Sequence, residues 1–240
     1  MKIYALLGML LLSLHFSSAQ HNPFHEAENA YANGLYQEAI DLYQQLITKP
    51  LTQHELYFNL GNAAYKKGNL VLAVQSYRRA QYLAPTDPDI RANLRYALDT
   101  VGAPLPERSR FEQIVFSLSE SQWITLAIAL YGLLFSILFI KLILNRPHII
   151  LKRLAYLCTF SLLLSILALT QYQKRNKHPE YVVIESKLAV KLAPLENSKT
   201  AFNLPAGAIV SPLRTHQNEW HQIKINHQTG WVKYHQIDPI

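Results

Sequence analysis

Four histidines near the C-terminal end, His216, His221, His227 and His235, pose the first question of chemistry. A zinc site gathers four His, Cys or carboxylate ligands at short, recurring spacings. These four match no such spacing. Cys158 is the single cysteine and cannot complete a set. His25-Glu26 and His54-Glu55 begin like a zinc-protease helix, but neither is followed by the second histidine that the metal needs. There is no phosphate-cradling glycine loop, no nucleophile elbow and no dinucleotide fingerprint. Cys158 lies in an apolar run, where a thiolate is not stabilised. The residues therefore read as a chain that is not an enzyme, with no metal and no cofactor. What remains is recognition. Asn59 and Asn93 lie 34 residues apart. A side-chain amide both donates and accepts, so such residues can hold the backbone of an extended peptide. They can equally satisfy neighbouring helix ends.

The same interval organises the elements around them. Ala30, Tyr31, Gly34, Ala39 and Tyr43 recur 34 residues later as Ala64, Tyr65, Gly68, Ala73 and Tyr77. That period, with small and aromatic residues at fixed places, resembles the tetratricopeptide repeat, a helix pair that stacks into a concave binding surface. In the second repeat, 54–87, Tyr57, Leu60, Gly61, Ala73, Tyr77, Ala80 and Pro85 fall on consensus positions. Gly61 and Ala73 permit close helix approach, and Gly68-Asn69 makes the turn. The first repeat, about 20–53, matches only in its second half. A further helix near 89–99, N-capped by Asp87 with Pro88 at its first position, would cap the stack. The resemblance implies that Phe58, Asn59, Asn62, Tyr65 and Lys66 face the concave side, with Asn93 and Tyr96 on the capping helix.

Apolar runs at 123–144 and 148–172 are each long enough to cross a bilayer. Residues 1–19 resemble a secretory signal, with Lys2, an apolar stretch at 3–14 and Ser17-Ser18-Ala19 before cleavage; an uncleaved anchor is the alternative. Residues 101–110 read as a linker. Ser109 and Glu112 form a capping-box pattern, after which Phe111, Ile114, Val115 and Leu118 share one face of an interfacial amphipathic helix at 111–119. Ser119 and Gln122 repeat the box before Trp123, a residue suited to the interfacial belt. The first span is expected at 120–144 and the second at 148–172, joined by Asn145-Arg146-Pro147. Two lines of small residues, Thr125, Ala129, Gly132 and Ser136, and Cys158, Ser161, Ser165 and Ala168, are expected to face each other or a partner helix. The net charge of +7 is concentrated here: 111–180 carries seven basic and three acidic residues, whereas 20–110 carries nine of each. That excess flanks apolar runs, where anionic head groups attract it, and argues against nucleic acid as a partner. Four basic residues at the turn against three beyond the second span favour a cytoplasmic turn only slightly. The signal peptide would export the repeats, and the hairpin would return the C-terminus to the same side.

From Tyr181 the pattern turns to short β segments, at 181–184, 188–192, 208–213, 220–225 and 230–234, which suggest a small barrel. Ala189-Val190-Lys191, Leu204-Pro205-Ala206-Gly207, Trp220 with Ile223, and Thr229-Gly230-Trp231-Val232 resemble bacterial SH3-type domains, which bind peptides or cell-wall material. Trp231 and Tyr234 are the candidate ligand groove; Trp220 and Trp231 can also be plain core. The expected fold class is thus a multi-domain α + β membrane protein, with repeats at 20–100, a two-helix transmembrane hairpin and an SH3-like barrel at 181–240. Over its length this combination resembles the tetratricopeptide-repeat, BatE-like members of the Bat aerotolerance operon proteins of Gram-negative bacteria. The resemblance implies a non-catalytic inner-membrane scaffold with both folded domains in the periplasm. It also implies von Willebrand A-domain membrane proteins and a MoxR-type ATPase as partners, in a role tied to stress or oxygen tolerance. The alternative is an envelope tether that binds peptidoglycan through the SH3-type domain.

Overall fold

The computed structural model describes residues 23–47, 53–144, 149–217 and 219–240. The expected signal segment, the Asn145-Arg146-Pro147 turn and Asn218 lie outside them. Helices α1 (Pro23–Ala32) and α2 (Tyr36–Ile47) form one pair, and α3 (His54–Lys67) and α4 (Leu70–Leu83) the next. The 34-residue period holds down to the backbone. Gly34 and Gly68 both adopt left-handed φ, at 77° and 86°. The Gly34 and Gly68 amides donate to Tyr31 and Tyr65, and the next amides, Leu35 and Asn69, donate to Ala30 and Ala64. Each turn so satisfies carbonyls that the helix end leaves open. A Cβ at Gly61 would lie 2.6 Å from the Tyr77 ring, so glycine is what admits this aromatic between α3 and α4. Both helices of the first pair form despite its weaker motif. Ala27 and Ala30 are buried, and Phe24 meets the Tyr43 ring edge-on.

Helix α5 (Pro88–Val101) packs Ile90, Leu94, Ala97 and Leu98 inward. The Asp87 carboxylate accepts from the Asp89 and Ile90 amides at 2.9 and 3.1 Å, the expected N-cap. The short helix α6 (Arg110–Val115) follows, with its capping box formed, and ends earlier than expected. The single apolar face expected there is split: Val115 is buried, Phe111 and Ile114 are exposed, and Leu118 packs from the turn that follows.

Helices α7 (Glu120–Leu144) and α8 (Ile149–Lys177) are both long and apolar enough to cross a membrane. α8 runs past the expected end at 172 by a further turn of basic and polar residues. The two small-residue lines do not face each other. Cys158, Ser165 and Ala168 on α8 are buried, but Thr125, Ala129, Gly132 and Ser136 are exposed. The inward seam of α7 is Trp123, Ala127, Leu130, Leu134 and Ile137, a 3.5-residue period of mostly larger side chains. Larger knobs against small residues fill space, whereas two small lines would leave a void. Trp123 also departs from expectation. It is only 5% exposed beneath α6, and its indole N–H donates to the Val115 carbonyl at 2.7 Å. A helix end offers a spare carbonyl, and a buried indole needs an acceptor.

Among the described residues seven strands follow rather than five: β1 (Tyr181–Val183), β2 (Lys187–Lys191), β3 (Thr200–Pro205), β4 (Ile209–His216), β5 (Trp220–Ile225), β6 (Gln228–Lys233) and β7 (Ile237–Pro239). They lie in the order β3-β2-β6-β5-β4-β1-β7, all antiparallel. The two strands absent from the sequence reading, β3 and β7, are those at the ends of this order. Both finish at a proline, which an edge tolerates and which masks a strand pattern. The sheet and the helix pairs share one apolar core. The Gly207 turn, at φ 87°, lies against Val101 at the end of α5.

Candidate functional site

Helices α3, α4 and α5 each contribute to a groove centred on Asn62. Its side-chain oxygen accepts from the Tyr77 hydroxyl at 2.8 Å and from the Asn93 amide at 3.1 Å. Three helices are thereby pinned at one point. Tyr65 stands beside Tyr96 at 5.5 Å between ring centres, and its hydroxyl lies 3.3 Å from that of Thr100. Asn62, Tyr65, Tyr77, Asn93 and Tyr96, together with Tyr31 and Lys66, line a cavity of about 300 Å³. A smaller hollow of about 190 Å³ continues along Glu28, Tyr43 and Asn59, sharing Tyr31 and Asn62. Lys66 and Glu28 thus mark two ends of one polar and aromatic channel. Burial, with Glu28 adding to it, pushes the Tyr43 phenol up to about 12. Burial likewise raises Tyr77. Both remain protonated donors at neutral pH.

Of the residues expected here, Asn59, Asn62, Tyr65, Lys66, Asn93 and Tyr96 line the two hollows. The Asn93 amide donates to the Asn62 side-chain oxygen, and Asn59 sits at the Tyr43 hydroxyl. Phe58 does not join them. It packs in the core against Tyr77, 6.0 Å between ring centres. Tyr31, Tyr43 and Tyr77 were visible as repeat positions, but periodicity alone does not separate a groove phenol from a packing one. The arrangement offers amide and phenol hydrogen bonds, exposed ring surface and one charge at each end. It presents no nucleophile beside a base.

Trp231 and Tyr234 do not form one groove. Trp231 is paired with Gln222 on one face of β6, with its ring 6.1 Å from that of His216. Tyr234 stands with His221, 5.4 Å between ring centres, and His221 opposes Val232 on the other face. Trp231 and Val232 alternate along β6, whereas Tyr234 begins the 3-10 turn Tyr234–Gln236 that follows the strand and swings to the His221 side. Burial lowers the His221 pKa. Trp220 is buried at the level of Lys233, whose ammonium lies 5.6 Å from its ring centre. Among the described residues no three His, Cys, Asp or Glu side chains come together as a metal would require.

The back of α4 carries a second polar site that sequence reasoning missed. Gln75, Arg78, Arg79 and Tyr82 follow helical spacing on one face. Arg78, 3% exposed, makes two hydrogen bonds to Glu180, at 2.7 and 2.8 Å, and Tyr82 donates to the same carboxylate at 2.6 Å. Gln75 reaches Asp238 and the Pro239 carbonyl, and Arg79 the same carbonyl. Burial alone would raise the Glu180 pKa, but the Arg78 charge and these hydrogen bonds hold it down to about 2. The only sequence signal is an arginine with polar neighbours at i−3, i+1 and i+4; nothing in it designates Glu180, 102 residues away.

The family model described as Tetratricopeptide repeat matches residues 24–88. The chain therefore contains tetratricopeptide repeats, and the match takes in both helix pairs, including the first. A search of curated proteins gave no match.

Proposed function

We propose that this protein is a non-catalytic membrane scaffold whose repeat groove holds an extended segment of a partner protein. The observation that carries this reading is the Asn62 node. It fixes three helices around a channel whose amides and phenols suit a peptide backbone, with Lys66 and Glu28 at its ends. Repeats of this kind generally serve protein–protein interaction. The apolar helices α7 and α8 would anchor the groove at an inner membrane, with the repeats and the SH3-like sheet on the periplasmic side. Resemblance to the Bat proteins supplies the expected partner class, von Willebrand A-domain membrane proteins working beside a MoxR-type ATPase. The domains would then be units of one scaffold, since the sheet packs on the back of α4 and leaves the groove open. Wall binding through Trp231 and Tyr234 has less support, because the two rings stand on different faces.

The test uses exposed groove residues, so that folding is spared. Tyr96 is 63% exposed and Lys66 is also exposed. Lys66→Ala with Tyr96→Ala should weaken the complex recovered from membranes by about tenfold or more, as loss of an aromatic anchor does at interfaces. The melting temperature of the free protein should not change. Full recovery of the complex would refute the groove as the binding surface.

A further inference from the structure

A third cavity, of about 390 Å³, with Glu180 on its wall, opens between α6, the last two turns of α8 and strands β4 and β5. Its walls carry Arg108, Lys174, Arg175 and Lys224. None of these four makes an ion pair with a carboxylate among the described residues. The three carboxylates on the same walls are engaged elsewhere. Glu180 holds Arg78, Glu112 closes the Ser109 capping box, and Glu107 faces His227. Arg175 instead stacks against Tyr82, Tyr172 and Phe116, and Arg108 against Phe116. The four basic side chains thus face three carboxylates, of which Glu180 is already matched by Arg78, and the walls carry an excess of positive charge.

Its position is equally informative. Lys174 and Arg175 are the first charges after the apolar stretch of α8. At that level α6 is clamped to α8, through Phe116 on Tyr172 and through the Tyr172 hydroxyl donating to the Leu118 carbonyl. Phe111 and Ile114 of α6 stay exposed beside it. A pocket with an excess of cations where an apolar helix ends, lined in part by α6, whose side chains Phe111 and Ile114 are exposed and apolar, matches the two halves of a phospholipid. We infer that this cavity binds the phosphate head group of an anionic phospholipid, whose acyl chains run down along α8. The inference rests on the reading of α7 and α8 as membrane spans. Burial and the nearby Arg78 charge lower the Arg108 pKa to about 10, and the Glu180 carboxylate offsets them only in part.

The experiment is native mass spectrometry of the full chain, purified in mild detergent and offered phosphatidylglycerol, phosphatidylcholine or inorganic phosphate. One phosphatidylglycerol should be retained in preference to phosphatidylcholine. Each basic contact near a membrane surface contributes about fivefold, so Arg108→Gln with Lys174→Gln should reduce retention about 25-fold. Lys174→Gln alone, on an exposed side chain, should reduce it about fivefold and keeps the test valid if the Arg108 change disturbs packing. Lys152→Gln with Arg153→Gln, at the far end of α8, should leave retention unchanged. Equal retention of phosphatidylcholine would overturn the inference, as would an equal loss in the far-end variant. Inorganic phosphate bound as tightly as the lipid would also overturn it, in favour of a free-anion site. A chain that stays soluble without detergent would instead refute the membrane reading itself.

Discussion

Glu180→Gln removes one charge and almost no volume, which makes it the sharpest probe of how the sheet is held to the repeats. Arg78 is 3% exposed and its partner 17%, so the pair is largely shielded from water. Deleting one member of a buried pair leaves an uncompensated charge and costs about 3–5 kcal/mol. Arg78 would keep its hydrogen bond to Gln81 at 2.7 Å and its position 5.4 Å from the Tyr82 ring centre, which favours the lower end. A loss of about 3 kcal/mol lowers the melting temperature of a chain of this size by roughly 6–12 °C. The assay is thermal unfolding of the full chain in detergent, with hydrogen exchange to locate the change. Amides of β1 and β7 should lose protection before those around Asn62. Replacing both partners by apolar residues, Arg78→Met with Glu180→Leu, should restore stability to within about 1 kcal/mol of the parent, because no charge is then stranded. A melting temperature unchanged in Glu180→Gln, or a double variant no better than the single, would refute this account of the contact.

Gly61→Ala should destabilise the repeats by about 1–3 kcal/mol, since the added methyl meets the Tyr77 ring; chemical denaturation would read this. Asn62→Ala strands the Tyr77 hydroxyl and the Asn93 amide and should cost about 1–3 kcal/mol, measured in the same way. Glu180 also predicts a pH dependence. Its folded pKa of about 2 lies below its ordinary 4.5, so its stabilisation is complete above pH 4.5 and is lost as pH falls toward 2. Protection of β1 against hydrogen exchange should decline through that window, and the Arg78→Met/Glu180→Leu variant should show no such decline.

Much of this architecture could be read from residue spacing. The repeat period reached the backbone because Gly34 and Gly68 end their helices in the same left-handed turn. The caps at Asp87, Ser109 and Ser119 were equally legible, being local hydrogen bonds within three residues. Features set by long-range packing were not. Which face of α7 meets α8 depends on how large side chains seat among small ones, so of the two expectations for the line through Gly132, facing α8 or facing a partner helix, only the first is excluded. Strands β3 and β7 carry edge chemistry, with one partner each and a terminal proline, and so lack a clean alternation. Trp231 and Tyr234 look like a pair in sequence, but β6 ends at Lys233 and the 3-10 turn that follows carries Tyr234 to the His221 side, away from Trp231 beside His216. In the groove, spacing pointed to Asn59 and Asn93 as partners. The structure gives the central place to Asn62, also expected on the concave side, whose side-chain oxygen meets donors from two other helices.

The scaffold reading is tested most directly by site-specific photo-crosslinking in the native membrane, with the crosslinker placed at Tyr96 in the groove and, separately, at Trp231 on the sheet. The account predicts crosslinks from Tyr96 to one extended segment of a von Willebrand A-domain membrane protein, abolished by Lys66→Ala. Crosslinks only from Trp231, to peptidoglycan or wall enzymes, would contradict it and assign the binding function to the sheet.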